Sequence, residues 1–555
     1  MTTLFAFVFL LSVLIFVHEL GHFIVAKACG VRVLKFSLGF GPPVGVGRFR
    51  LRWVRGHTEY VVAWFPIGGF VKMLGENLDE TNDPALMAHP EETLTHKPTW
   101  QKLAIVFAGP VMNLLLPVAV FIVTLAIGVP RPMPTIGTVE PESPAARAGL
   151  RPGDVIAAIA GEPVRWWSDF EDVVRARPDQ RVPVAYERAG QVRNATLEIG
   201  ERSSFDEFGG ALQVGWIGAE HSRLSAVVGV PAADSAAARA GLRSGDVIEA
   251  VDGVAVEDWQ GVAAAYAAAE AAAALRVRRG GAEDEAGTLE IRVPALGDLA
   301  ALGLVPASVL IASVEPGSPA ERAGLRPKDL ILSVDGAPVG SFASFAETVR
   351  TSEGRALDLV LARDGERLRV SIAPELAPLD VTGLGIEEPR YRVGIGAEVP
   401  SLVGALRTDR EPNPLVALPR AVGMTFEITH TFLRGLGKLI TGQVSRRQVA
   451  GPIGIAEIAG NAFEAGWETY LSIMVLISIN LGILNLLPIP ILDGGQAVIF
   501  AIEGIRRSPL SLRTREIFQQ VGFTVLVLLM GLAFWNDLSR QWVRLLEWLS
   551  GGPGL

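Results

Sequence analysis

The chain has 555 residues, 49% of them hydrophobic and 20% charged, with a formal net charge of −9. That length allows several domains, and the composition is too apolar for an ordinary soluble enzyme of this size. The negative balance argues against nucleic acid as a partner. A single cysteine, Cys29, excludes an internal disulfide framework or a cysteine zinc cluster and reads as a small packed residue.

In chain order, residues 1–30 hold an apolar run over 4–28, long enough to span a bilayer, which takes roughly 20 residues. No basic residue precedes it and no small-residue cleavage site follows, so it reads as a span and not as a cleaved signal peptide. Residues 31–100 carry Arg32, Lys35, Arg48, Arg50, Arg52, Arg55, Lys72 and Lys97, with Lys102 just beyond. A second span, 103–128, falls within residues 101–129. A third, 469–491, falls within residues 468–503, and a fourth, 519–536, within residues 504–555. Arg506, Arg507, Arg513 and Arg515 lie between the last two. Loops rich in Lys and Arg stay on the cytoplasmic side. The N-terminus, the long middle region and the C-terminus are then expected on the other side.

The middle region repeats. SPAARAGLRPGDVIAAIAGEPV from Ser143, SAAARAGLRSGDVIEAVDGVAV from Ser235 and SPAERAGLRPKDLILSVDGAPV from Ser318 recur at domain-sized spacing, within residues 130–203, 204–298 and 299–378. Each serine fits a helix N-cap, with Pro144 and Pro319 at the first helical position. Gly149, Gly241 and Gly324 fit the left-handed position that ends the helix. Each copy continues through Asp154, Asp246 or Asp329 into an alternating strand, a second helix and two more strands. The pattern resembles the PDZ domain in its bacterial arrangement. Such domains bind extended peptides by strand addition beside the second helix; the copies equally suit spacers or a steric screen. The second copy has an alanine-rich helix, VAAAYAAAEAAAAL, with few side chains to define a pocket. Residues 379–467 read as a linker with interfacial amphipathic helices. Arg420, Glu427, His430, Arg434 and Lys438 interrupt 416–440, so it is no clean fifth span. A helix inside a larger assembly is the alternative there.

The first span contains HELGH, residues 18–22. Ionisable groups in lipid are costly unless something satisfies them. On a helix this spacing puts His18 and His22 on one face, able to share a zinc ion at about 2 Å, with Glu19 beside it to take a proton from water. A structural polar cluster between helices is the alternative. Two histidines leave a catalytic zinc site short of its third protein ligand. His57, His89, His96, His221 and His430 lie outside the spans and suit solvated or locally bonded roles. A carboxylate at membrane depth is the better candidate, and Asp493 in NLLPIPILDGGQ stands out, flanked by the helix breakers Pro488, Pro490, Gly494 and Gly495. The expected orientation places HELGH and LDGG at similar depth, toward the cytoplasmic side.

HELGH, AGPVMN in span two, the repeats and NLLPIPILDGG together resemble the site-2 protease family of intramembrane zinc metalloproteases. GFGP at 39–42, PIGGFVKMLGE at 66–76, LGKLITGQVSRRQVAGPIGIAEIAG at 436–460 and VLVLLMGLAFWNDLSR at 525–540 extend the resemblance over nearly the whole chain. It implies that His18, His22 and Asp493 bind zinc and that Glu19 is the catalytic base. It implies that Asn485, Pro488 and Pro490 help hold substrate, and that residues 39–75 form a sheet dipping into the membrane. The implied substrates are single-span membrane proteins of the anti-sigma-factor type and remnant signal peptides, cut in a bacterial inner membrane with the repeats in the periplasm. The family more often has His after LDGG, where this chain has Gln496, and the bacterial member that it most resembles carries two PDZ domains, where this chain shows three. The expected fold class is a polytopic α-helical membrane protein with about four transmembrane helices, a membrane-associated β-hairpin or sheet and three extracytoplasmic PDZ-like α+β domains. Two other readings stay open: a membrane-bound scaffold with a dead metal site, and a transporter, for which no inverted repeat is visible.

Overall fold

A computed structural model describes residues 2–46, 49–76, 89–205, 211–279, 287–380, 387–397, 402–442, 451–508 and 510–549. The chain forms two compact units. One comprises Met1–Val129, Asp380–Glu387 and Arg410–Leu555, the other Pro130–Leu379 and Glu388–Asp409. Arg48 of the first basic loop and residues 443–450 of the LGKLITGQVSRRQVAGPIGIAEIAG stretch lie outside the described residues.

The first unit opens with helix α1, Thr2–Ala28. The three strands of one sheet follow, β1, Val33–Pro43, β2, Arg52–Arg55, and β3, Thr58–Met73, with a small hairpin of Gly45–Val46 and Phe49–Arg50 between β1 and β2. Helix α2, Thr99–Ile127, is apolar throughout, with Pro110 and Pro117 inside it. After the other unit come α3, Pro414–Ile440, α4, Pro452–Glu464, α5, Trp467–Leu486, α6, Asp493–Arg506, and α7, Leu512–Leu549. Among the described residues four helices are long and apolar enough to cross a membrane: Thr2–Ala28, Thr99–Ile127, Trp467–Leu486 and Arg513–Ser539.

The β region is not a plain hairpin. Phe36 of β1 pairs with Tyr60 on one side and Val71 on the other, and Ser37 pairs with Val61 and Phe70. Strand β3 therefore folds around β1 and flanks it with both arms, while β2 extends the sheet beyond Thr58–Val61. The turn through Trp64 and Phe65 leaves both rings exposed, and Phe49 at the hairpin tip is 90% exposed. Such a patch on one end of a sheet marks a surface that something apolar covers.

Two expectations change. The third span stops at Leu486, because Pro488 and Pro490 supply no backbone N–H and restrict the residues before them. Asp493 consequently opens a separate helix, α6, instead of ending the span. Helix α3, expected at an interface, lays Ala417, Ala421 and Thr425 inward, and Ile428 and Phe432 pack with Leu114, Phe121 and Val475 of α2 and α5. Its five interrupting polar residues share one stripe about 80° wide, away from that apolar face.

The second unit holds three modules with one plan. Ser143 Oγ accepts from Ala146 N at 3.2 Å, Ser235 Oγ from Ala238 N at 3.1 Å and Ser318 Oγ from Glu321 N at 3.3 Å. Gly149, Gly241 and Gly324 have φ of 75°, 95° and 78° at the ends of those short helices. Each module builds a four-stranded antiparallel sheet, over Val155–Glu198, Val247–Pro294 and Leu330–Ile372, with a second helix at Trp167–Arg175, Trp259–Ala267 and Phe342–Thr351. Each encloses its own apolar core, centred on Phe170, Tyr266 and Phe345.

The aspartates of the repeat are buried, and each is held in the same way. Arg188 donates to both oxygens of Asp154 at 2.7 Å, and Arg151 N adds a third bond at 2.7 Å. Arg279 and Arg243 N serve Asp246, and Arg363 and Arg326 N serve Asp329, with matching geometry. Each arginine also caps the carbonyl of the helix-ending glycine, Gly149, Gly241 or Gly324. The arginine follows its aspartate by 34, 33 and 34 residues.

Candidate metal centre

The centre forms where α1, α2 and the start of α6 meet. Helix α1 carries His18 and His22 one turn apart on its buried face, each 8% exposed. Helix α2 reaches them because it offers Gly109, where a Cβ would fall 2.3 Å from His22 Nε2 and 2.9 Å from His18 Cε1. Gly21 permits the same approach from the other side, since a Cβ there would meet the Ala108 carbonyl at 2.3 Å.

Asp493 arrives through tight chain geometry. After Leu486 the turn is closed by Ile489 N donating to Leu487 O and Leu492 N to Ile489 O. Added Cβ atoms at Gly494 and Gly495 would fall 2.2 Å from the carbonyls of Leu487 and Ile489. The two glycines of LDGG thus let α6 start directly against the turn, which aims Asp493 at α1. Its Oδ2 is 3.1 Å from His18 Nε2 and its Oδ1 3.6 Å from His22 Nε2; the two Nε2 atoms are 3.2 Å apart.

These three groups could hold a metal ion: one ligand atom from each lies within 4.8 Å of the others. The imidazole chemistry fits. His22 Nδ1 donates to the Ile105 carbonyl at 2.8 Å, which leaves the Nε2 lone pair facing His18 and Asp493. Two imidazoles and a carboxylate are the ligand types of a three-ligand catalytic zinc site. Glu19 sits half-buried on α1 beside the outer arm of β3, where a Cβ on Gly69 would come 3.1 Å from Glu19 Cγ.

The remaining site residues lie in or just after α5. Asn485 is half-buried in its last turn, Pro488 is exposed, and Pro490 packs against Gly522 of α7. Gln496 is exposed. The other histidines have local partners: His89 bonds Glu91, His96 bonds Thr93, His221 lies against Trp167 and His430 stacks on Phe426; His57 is exposed.

Sequence reasoning missed Asn113. It is fully buried in α2, with its amide nitrogen 3.1 Å from His18 Nδ1 and its backbone carbonyl accepting from Ser478 Oγ of α5 at 2.7 Å. A polar residue at mid-depth of an apolar span was the available signal.

The sequence pattern of peptidase family M50 matches residues 6–529. The regulator of sigma-E protease of Escherichia coli is 32% identical over 535 residues, covering 96% of this chain and 98% of that protein. A Neisseria meningitidis protein named as a zinc metalloprotease is 32% identical over 555 residues, covering 97% and 99%. Among solved structures, the PDZ domain of an SdrC-like protein from Listeria monocytogenes matches 15% of this chain and 82% of that one, at 22% identity and a TM-score of 0.13, too low to argue from.

Proposed function

The chain belongs to peptidase family M50 and is a metalloendopeptidase, and we propose that it cuts single-span membrane proteins within their transmembrane segments, with His18, His22 and Asp493 as zinc ligands and Glu19 as general base. The site-2 type of zinc protease serves regulated intramembrane proteolysis, and the sigma-E name of the relatives points to anti-sigma factors as substrates, with remnant signal peptides as a second class. The single observation that carries the reading is the convergence of His18, His22 and Asp493 from opposite ends of the chain in an apolar helix cluster.

Zinc in this site would polarise the scissile carbonyl and make water acidic enough to deprotonate near neutral pH. Glu19 takes that proton on its carboxylate and passes it to the departing amine nitrogen. A helical substrate hides its peptide bonds, so it must unwind first. The outer arm of β3, Gly69–Met73, lies beside Glu19 and offers backbone groups to an unwound segment. Asn485 would bond that segment, and Pro488 and Pro490 keep the chain before Asp493 out of helix. The exposed Trp64, Phe65 and Phe49 suit a sheet dipping into lipid.

The excess of Lys and Arg in the two basic loops supports a topology with the β region and the centre toward the cytoplasm and the modules in the periplasm of a bacterial inner membrane. There the three modules are PDZ-like domains at residues 130–203, 204–298 and 299–378 that screen substrates before entry. The second is the least suited to peptide. Tyr266, fully buried, donates to Pro294 O at 2.6 Å and accepts from Leu296 N at 3.0 Å, and its ring takes up more room than Val174 and Val349 do at the same position of the second helix in the other two.

The test is cleavage of a labelled single-span substrate in detergent by wild type and Glu19→Gln, with bound metal measured in both. The expected result is cleavage by wild type only, a loss of at least about 10²-fold in the variant, with equal zinc in each. Zinc in neither protein would end the metalloprotease reading.

A further inference from the structure

We propose that Asn113 is a positioning residue that selects the metal-binding tautomer of His18. The inference rests on the zinc reading above and adds a residue to it. It starts from an asymmetry between the two histidines. His22 faces a backbone carbonyl, Ile105 O, which only accepts; its Nδ1 must carry the hydrogen and its Nε2 the lone pair. His18 has no carbonyl there. Its Nδ1 faces the side-chain amide of Asn113, a group with one accepting end and one donating end.

The two ends have different consequences. With the amide nitrogen toward His18, Nδ1 accepts, Nε2 carries the hydrogen, and that hydrogen points at Asp493 Oδ2, 3.1 Å away. This arrangement pairs His18 with Asp493 directly, and it leaves Asn113 Oδ1 buried without a hydrogen-bond partner among the described residues. With the amide turned over, its oxygen accepts from His18 Nδ1–H. The Nε2 lone pair then faces the same point as His22 Nε2 and Asp493. The two ends of the amide have nearly the same shape, so the turn needs no repacking. Reversal gives that oxygen the His18 Nδ1–H as its partner and moves the unpartnered position to the amide nitrogen, so it is the hydrogen placement on His18, ready for a cation, that distinguishes the two arrangements.

The surroundings hold the amide in place. Asn113 is 0% exposed, and Ser478 Oγ bonds its backbone carbonyl. Asn113 and Gly109 lie one turn apart on α2, opposite His18 and His22 one turn apart on α1. Gly109 admits the rings and Asn113 sets the hydrogen on one of them.

The test is zinc affinity by chelator competition on the full chain in detergent, for wild type, Asn113→Leu and Asn113→Asp. Leucine keeps the volume and removes the acceptor; aspartate keeps the acceptor. The expected result is a 10–100-fold weaker affinity for the leucine variant, with the aspartate variant restoring most of it. Equal affinity of the leucine variant and wild type would overturn the inference, as would equal losses in both variants, which is what a packing role predicts. If the leucine variant does not fold, Asn113→Ser, too short to reach the ring, replaces it under the same criteria. A wild type that retains no zinc would instead sink the metal reading itself.

Discussion

Both units of the molecule bury carboxylates, and they do opposite things with them. Asp154, Asp246 and Asp329 are each saturated by a bidentate arginine and a backbone N–H from their own module. Asp493 faces two histidines whose hydrogens can be placed to leave lone pairs toward it, and Asn113, beside His18, carries an oxygen without a partner among the described residues. Burial of an acid therefore does not mark chemistry. The partners do: a fixed cation closes the electrostatic account, while neutral imidazoles converging on an acid leave room for a metal.

The hardest blow to that contrast is Gly109→Val. Its added carbons would enter the position now taken by His22 Nε2, and Gly482 of α5, already close to the Pro110 carbonyl, limits how far α2 can withdraw. Bound zinc should fall more than about tenfold and cleavage should drop to background, while hydrogen exchange in the modules stays at wild-type rates. Retention of metal by this variant would mean that α2 does not hold the histidines together.

The complementary change is Asp329→Leu. It strands Arg363, whose guanidinium is held above its ordinary pKa by the hydrogen bonds it donates to Asp329, beside a part-buried surface. Removing one partner of a buried pair costs about 3–5 kcal/mol. Hydrogen exchange across Leu330–Ile372 should accelerate accordingly, with zinc affinity unchanged. If zinc were lost with the third module, the two kinds of carboxylate would not be separable.

How far the sequence revealed this contrast depends on where the partners lie. HELGH brings its own geometry, because two histidines four apart share a helix face whatever surrounds them. The serine caps and left-handed glycines of the repeats are equally local. The arginines are not: Arg188, Arg279 and Arg363 sit at a recurring distance from their aspartates, a signal present in the repeat and readable only once the aspartates are known to be buried. Gly109 and Asn113 were hidden for a different reason. Helices α1 and α2 are apolar all round, and lipid is as apolar as a protein interior, so periodicity does not tell which face meets another helix. The break after Leu486 was visible in its prolines, but the fresh start of α6 at Asp493 depends on Gly494 and Gly495 fitting under two carbonyls, which is a fact of three dimensions.

Glu140 gives the finest test, because it belongs to neither class. It lines a cavity of about 350 Å³ shared by the three modules, near Trp259, Leu330 and Ser341. Burial pushes its carboxyl above the ordinary 4.5, against the pull of Arg202 and a hydrogen bond with Ser344, while Glu220 adds to the rise. The sign follows from linkage: a raised folded pKa means stability that is full below 4.5 and is lost as pH climbs through the folded value. Above that window the ionised acid works against the fold. Glu140→Gln should therefore raise the melting temperature by about 2 °C at pH 7, and the gain should vanish at pH 4, where both states of the wild type hold the proton. A loss of stability at pH 7 would show that Arg202 already compensates the charge, and would move Glu140 into the company of Asp154, Asp246 and Asp329.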